Sequence, residues 1–251
     1  MTTRVKVSKM SADAPEIFES IQGEGPFIGR PSVFLRVALC NLQCRWCDTP
    51  YTWNWEGTEF EHDAGIKYDR ESQIHVMTPA EIVEFVSKWR TTHYVFTGGE
   101  PLVQQRALGE VARALRTARE HVTIDLETNG TRKPSAEFDA LADYYVVSPK
   151  LSNAGMTEST RIKDDAMSFF ASQTHRASFK FVVSSEQDLT EVLVLAERFE
   201  IEHDRIFLMP RGATLATMRQ NQGYVAELCL EYGFRFSDRL HLRLYGAERG
   251  T

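Results

Sequence analysis

The run Val37-Ala38-Leu39-Cys40-Asn41-Leu42-Gln43-Cys44-Arg45-Trp46-Cys47-Asp48-Thr49-Pro50 puts three thiols on one short loop, spaced Cys-x3-Cys-x2-Cys. All three can face one metal centre. A cubane iron–sulfur cluster takes one thiolate per iron. Three thiolates therefore leave one iron of a four-iron cluster without a protein ligand, open to bind something else. Two other readings compete. A structural zinc site closes its sphere with four ligands, usually from Cys-x2-4-Cys pairs. The chain's other cysteine, Cys229, lies far along the sequence, and no histidine falls within the loop. Disulfides suit three crowded cysteines poorly. The spacing favours an incompletely ligated iron–sulfur site and leaves zinc as the rival.

Strand and helix patterns extend outward from this loop. Residues 32–38 are short-period, β-branched and aromatic, and predict a strand that delivers the chain into the cysteines. Upstream, residues 1–14 predict an irregular lead-in, and Gly23 and Gly25 bracket Glu24 in a bend. Residues 54–77 are polar and lack periodicity; they predict an irregular excursion with at most a short strand near 73–77. His62, Asp63 and His75 within it are expected to be surface polar residues. Thr78-Pro79-Ala80-Glu81 then opens a helix, with a cap, a proline at the first helical position and a capping box. That helix is expected to run to about residue 90.

From there strands and helices alternate. Strands are expected over 93–96, 122–126, 143–147, 178–183 and 205–208, and helices over 102–120, 165–172, 185–199 and 214–232. The last helix carries Cys229 as a buried apolar residue. Polar or glycine-rich runs leave the strand ends: Thr97-Gly98-Gly99-Glu100-Pro101, Glu127-Thr128-Asn129-Gly130, Ser148-Pro149-Lys150 and Met209-Pro210. Ligands in parallel α/β sheets bind outside the carboxyl ends of strands. The alternation predicts an α/β fold with a mostly parallel sheet. The units fall short of eight, so the expected form is an open, partial (β/α) barrel, one domain over residues 1–251.

The chain of 251 residues has a net charge of −6. That balance gives no support to broad binding of nucleic acid, which needs a basic surface. No apolar run approaches a membrane span, and Met1-Thr2-Thr3-Arg4-Val5-Lys6-Val7 lacks a signal-peptide core. The expected setting is cytoplasmic, where thiols stay free for metal.

Cys40-x3-Cys44-x-Trp46-Cys47, with an aromatic before the last cysteine, resembles the signature of radical S-adenosylmethionine (SAM) enzymes, and the expected fold is the open barrel of that type. Ile21-Gln22-Gly23-Glu24-Gly25, Gly29-Arg30-Pro31 and Phe34-Leu35-Arg36 narrow the resemblance to the 7-carboxy-7-deazaguanine synthase family. The resemblance implies a 4Fe–4S cluster on Cys40, Cys44 and Cys47. Its open iron would take the amino and carboxylate groups of SAM, and reduction would release a 5′-deoxyadenosyl radical. SAM is regenerated rather than consumed in this family. The implied reaction contracts 6-carboxy-5,6,7,8-tetrahydropterin to 7-carboxy-7-deazaguanine with loss of ammonia, in 7-deazapurine biosynthesis of the queuosine type.

By the same resemblance Ile21, Gln22, Gly23, Arg36, Thr97 and His241 contact the pterin. Gln22 offers an acceptor and donors for its edge, and Arg36 a planar fork for its carboxylate. The resemblance also implies that Trp46, Cys47, Asp48, Gly99, Ser148, Pro149, Lys150 and Met209 surround SAM; Glu100, next to Gly99, is inferred separately as a nearby acceptor for its ammonium. Thr49 ligates Mg²⁺, a hard cation that keeps water and substrate oxygens around it. No catalytic side chain beyond these is implied. An electron donor such as a flavodoxin and a homodimer are the implied partners, with no membrane and no direct nucleic-acid binding. Two rivals remain: an activase that installs a glycyl radical in a partner protein, and a non-enzymatic zinc module. The Ile21–Gly25 run and Arg36 argue against the activase, which needs no pterin pocket.

Overall fold

Period-two alternation builds one sheet here, and its two faces divide core from site. The computed structural model describes residues 3–11 and 14–251. The first part holds β1 (Val5–Ser8), β2 (Ile17–Ile21), β3 (Pro31–Val37), a short α1 (Arg70–Gln73), β4 (Ile74–Met77) and α2 (Pro79–Val86). Then come β5 (His93–Gly98), α3 (Gln105–Ala118), β6 (Thr123–Thr128), α4 (Ala136–Asp139), β7 (Tyr144–Val147), α5 (Glu158–Arg161) and α6 (Asp164–Ser172). The chain ends through β8 (Ala177–Val183), α7 (Glu186–Arg198), β9 (Ile206–Pro210), α8 (Leu215–Tyr232), β10 (Arg235–Phe236) and α9 (Leu240–Tyr245).

The ten strands form one open sheet in the order β10-β9-β8-β7-β6-β5-β3-β1-β4, with β2 on β3. From β3 through β10 the neighbours run parallel. β1, β2 and β4 pair antiparallel. Open, mostly parallel α/β architecture is therefore present as the strand–helix alternation predicts.

On β3, Val33, Leu35 and Val37 enter the core with Tyr94 and Phe96 of β5, Leu126 of β6, and Phe179 and Phe181 of β8. Helices cover that face with Ile82, Leu108, Val111, Leu115, Phe170, Val192 and Val225. The alternate positions Phe34, Arg36, Thr97, Glu127, Lys180 and Met209 face a cavity instead. A one-residue slip in any of these strands would exchange the two sets. Below the cavity, Ser32 Oγ lies 2.7 Å from His93 Nδ1, and His93 Nε2 lies 2.6 Å from Asp125 Oδ2. This sealed chain ties β3, β5 and β6 together; at 0–2% exposure none of the three reaches solvent.

Three expectations need correction. Within the lead-in, residues 1–2 and 12–13 lie outside the described residues, but 5–8 form β1, which inserts between β3 and β4 and buries Val5 and Val7 completely. A four-residue strand is too short to show periodicity. The helix opened by Thr78 has its full capping box but stops at Val86. Arg119 ends it, donating to the carbonyls of Val86 and Ser87 at 3.1 and 2.8 Å. The stretch after Glu100 starts as a 3-10 turn, Pro101–Gln104, before α3 begins. The strand expected near 73–77 is present as β4, paired to β1.

Phe170 is fully buried and packs edge-on to Tyr145 with ring centroids 5.2 Å apart. Phe170→Ala is expected to cost about 3–5 kcal/mol of unfolding free energy, read from the midpoint of a urea melt. The slope of that melt should stay unchanged.

Candidate active site

The cavity lies over the carboxyl ends of the parallel strands and holds about 680 Å³. The cysteine loop folds in against it. Cys40, Cys44 and Cys47 all line the cavity, and all are free thiols. The Leu42 N–H donates to Cys40 Sγ at 3.4 Å, and Cys47 Sγ lies 3.6 Å from Thr49 Oγ1. Trp46 Nε1 donates to the Asn153 carbonyl at 3.0 Å, and the Arg45 N–H to that of Ala154 at 3.1 Å. Burial pushes the Cys44 thiol up to about 12 and raises Cys40 and Cys47 as well. Such thiols give up their protons when a metal takes their place.

Among the described residues, no three His, Cys, Asp or Glu side chains converge on a single-ion site. A tetrahedral zinc draws its ligands to one point about 2.3 Å away. A cube with one thiolate per iron spreads them over a larger body. The donor set fits the cluster and leaves the zinc reading without its fourth ligand.

Gly98 and Gly99 explain how the loop is seated. The Gly99 N–H donates to Val37 O at 2.9 Å and the Glu100 N–H to Leu39 O at 2.8 Å. A Cβ on Gly98 would overlap Val37 O, and one on Gly99 would overlap Leu39 O. These glycines thus admit the neighbouring backbone first of all, although Gly99 also faces the cavity. Glu100 is a correction. Its carboxylate is fully buried and accepts from Leu102 N, Thr128 Oγ1 and Asn129 N at 2.7–3.0 Å. It braces the loops from beneath and is absent from the cavity wall, so it cannot receive an ammonium there. Pro149 is likewise buried behind the wall, beside Gly130.

The other expected cofactor-side residues are brought together: Trp46, Asp48, Ser148, Lys150 and Met209 line the cavity, with Thr49 beside Cys47. Lys150 Nζ donates to Ser148 Oγ at 2.9 Å and stands 5.7 Å from the Trp46 ring centre. Ile21, Gln22, Gly23, Arg36, Thr97 and His241 share the same wall. Glu127 organises two of them, accepting from Gln22 Nε2 at 3.1 Å and Thr97 Oγ1 at 2.8 Å. Arg36 donates through Nε to Glu16 at 2.7 Å, and Tyr51 and Arg249 hold the same carboxylate at 2.9 and 3.1 Å. Glu16 is buried and Arg36 half-buried, and the ion pair restrains the guanidinium.

Several cavity-lining residues have partners that the sequence does not reveal. Glu24 pairs with Lys180 and, at 2.9 Å, with Arg239. Arg239 also pairs with Asp48 and donates to Gly212 O at 2.8 Å. One guanidinium therefore joins the bend after β2, the cysteine loop and the loop after β9. It seats α9, whose Leu240 N–H donates to Gly23 O at 2.9 Å. A Cβ on Gly23 would overlap His241, so only glycine lets this helix dock. Burial lowers the His241 pKa, which keeps the ring neutral near pH 7. One signal does stand out: Lys180 is the one charged residue in the fully buried β8.

Glu24 carries a pH signature. Burial raises its pKa, but Lys180 and Arg239 outweigh this and hold it well below the ordinary value of 4.5. Its stabilisation is therefore present above that ordinary value and is lost as pH falls through the depressed one. Glu24→Gln strands a buried lysine, and near neutral pH it should cost about 3 kcal/mol. The gap to the native chain should close in strongly acid solution, as followed by denaturant melts across pH.

Comparison with known proteins agrees with this geometry. The model of the radical SAM superfamily matches residues 36–176. The 7-carboxy-7-deazaguanine synthase of Pyrobaculum aerophilum is 37% identical, over 94% of this chain and 95% of its own length. That of Rhodopirellula baltica is 32% identical, over 98% and 91%. The crystal structure of QueE from Escherichia coli superposes with a TM-score of 0.63 over 93% of both chains; at 22% identity it bears on the fold alone. With the superfamily model covering more than half of its length and such relatives spanning nearly all of it, this chain belongs to the 7-carboxy-7-deazaguanine synthase family of radical SAM proteins.

Proposed function

We propose that this chain is a 7-carboxy-7-deazaguanine synthase that contracts 6-carboxy-5,6,7,8-tetrahydropterin with loss of ammonia. One observation carries the reading: a single cavity is lined both by an open three-cysteine loop and by a braced set of polar side chains. Full-length relatives named for this activity support it, and they give the activase reading no support.

Family membership implies a 4Fe–4S cluster and SAM. Cys40, Cys44 and Cys47 would hold the cluster, and Trp46, Asp48, Gly99, Ser148, Lys150 and Met209 would surround SAM. When bound, the pair supplies one-electron hydrogen abstraction. The chain's own work is placement and exclusion of water. Glu127 holds the Gln22 amide and the Thr97 hydroxyl in fixed orientations, which suits the donor and acceptor pattern of a pterin edge. Arg36, aligned by Glu16, offers its remaining N–H groups to the substrate carboxylate. Ile21, Gly23 and neutral His241 close the wall over the ring. Thr49, beside the cysteines, would add one oxygen to a Mg²⁺ whose other ligands are water and substrate. An electron donor such as a flavodoxin, a homodimer and a cytoplasmic setting complete the proposal.

The direct test incubates anaerobically reconstituted chain with SAM, reductant, Mg²⁺ and the carboxypterin, and looks for the deazaguanine acid by mass spectrometry. Absence of product from chain that holds iron and sulfide would overturn the proposal. Cys44→Ala is expected to bring iron content and turnover to background. Arg36→Ala should weaken substrate binding by about tenfold to a hundredfold, the worth of a charge-assisted hydrogen bond, while iron content stays at the native level.

A further inference from the structure

Residues 54–68 are an excursion to which the proposed reaction assigns no part, yet they close on themselves and lie against the cysteine turn. The Glu56 N–H donates to Tyr68 O at 3.0 Å and the Tyr68 N–H to Asn54 O at 3.1 Å. Lys67 braces the inside, its ammonium donating to Asn54 Oδ1, Thr58 Oγ1 and Phe60 O at 2.6–3.0 Å. Phe60 and His62 both stand edge-on to the buried Trp53 ring, with centroids 6.2 Å apart. This is a compact loop with its own packing.

Backbone accounting shows what it does. The turn from Cys44 to Cys47 makes one internal hydrogen bond, Cys47 N–H to Cys44 O at 3.1 Å. Two of its other carbonyls are satisfied from the excursion: Arg45 O accepts from the Asp63 N–H at 2.8 Å, and Cys47 O lies 2.8 Å from His62 Nε2. The Ala64 N–H donates to His62 Nδ1 at 3.1 Å, so Nδ1 is the acceptor and Nε2 carries the hydrogen. A carbonyl can only accept, so His62 donates to Cys47. Asp63 adds a side-chain tie, accepting from Arg45 Nε at 3.2 Å and Arg211 Nη2 at 3.0 Å.

The geometry points to a role for this excursion as the outer brace of the cysteine turn, with His62 the positioning residue that fixes the Cys47 peptide so that its thiol faces the cavity. Groups that orient ligands from outside typically change metal retention when removed, by about tenfold to a hundredfold. The inference rests on the assignment of the cluster to Cys40, Cys44 and Cys47.

The test uses the full chain reconstituted anaerobically with iron and sulfide. Iron stripping by a strong chelator is followed from the visible absorbance, and the metal-free chains are melted by circular dichroism. His62→Ala is expected to lose iron about tenfold faster than the native chain. His62→Gln, which restores an N–H donor, should lose it at nearly the native rate. Lys67→Met loosens the brace without touching the cysteine turn and should also strip faster; it decides the matter if His62→Ala does not fold. Native stripping rates in His62→Ala, or equal losses in the Ala and Gln variants, would overturn the inference. A native chain that binds no iron and sulfide would instead sink the cluster assignment itself.

Discussion

Leu39, one residue before Cys40, sits in the left-handed region at φ 74°. A non-glycine residue there costs about 1–2 kcal/mol. It stays because both of its backbone groups are taken. Its N–H donates to Thr52 O at 2.9 Å, and its carbonyl accepts from the Glu100 N–H at 2.8 Å. The chain is thereby turned sharply off the end of β3 and pinned against the exit of β5. Everything at the cysteine end follows from that seam. It needs a side-chain-free strip at Gly98 and Gly99, and it needs Glu100 beneath to tie in the exit of β6 through Thr128 and Asn129. Three strand ends are locked together before any ligand is considered.

The rest of the cavity wall is governed by charge. Among the described residues, five acidic side chains (Glu16, Glu24, Asp48, Glu127, Glu248) and five basic ones (Arg36, Lys150, Lys180, Arg239, Arg249) line the same cavity. Equal numbers of both signs keep the wall from repelling itself. In a partly dry site an unpaired member would be costly, and the structure pairs Glu16, Glu24 and Asp48 with guanidinium or ammonium partners. Ligand recognition then falls to groups that keep free hydrogen-bonding capacity after pairing. Arg36 is engaged by Glu16 through one nitrogen only, Thr97 gives its hydroxyl proton to Glu127 and keeps its oxygen lone pairs, and Gln22, held at both ends by Glu127 and the Glu24 N–H, keeps its second amide hydrogen. Such half-used groups are rigid and still able to bond, the condition that makes a site pre-organised rather than merely polar.

Legibility in the sequence follows distance along the chain. The cysteine loop, the capping box at Thr78 and the strand–helix alternation are local patterns, and they appear as expected. The site residues that alternate with core residues on a strand, such as Arg36 and Thr97, are also within reach, because a strand fixes which side chains share a face. What cannot be seen is pairing between remote segments. Glu24 and Arg239 are 215 residues apart, and Glu16 and Arg249 are 233 apart. Nothing local marks an arginine near the end of the chain as the partner of a glutamate near its beginning. Glu100 misleads for a different reason. Its neighbours Gly98 and Gly99 do face the site, but its own side chain turns under the loop, where three donors would otherwise be buried without an acceptor.

The same rule separates the two histidines that the chain brings near its site. His241 is marked by resemblance and sits on the wall; His62 reads as an exposed polar residue and instead donates to a cysteine carbonyl. A loop that presents three thiols inward cannot also bond its own carbonyls into regular structure, since the turn has room for one internal bond. Its remaining acceptors must be met from outside. Some segment therefore has to lie against the cysteine turn, and in this chain it is the stretch with the least periodicity. That lack has a physical cause. The segment packs on an irregular backbone, not on a helix or a sheet, so no repeat of two or 3.6 residues could serve it.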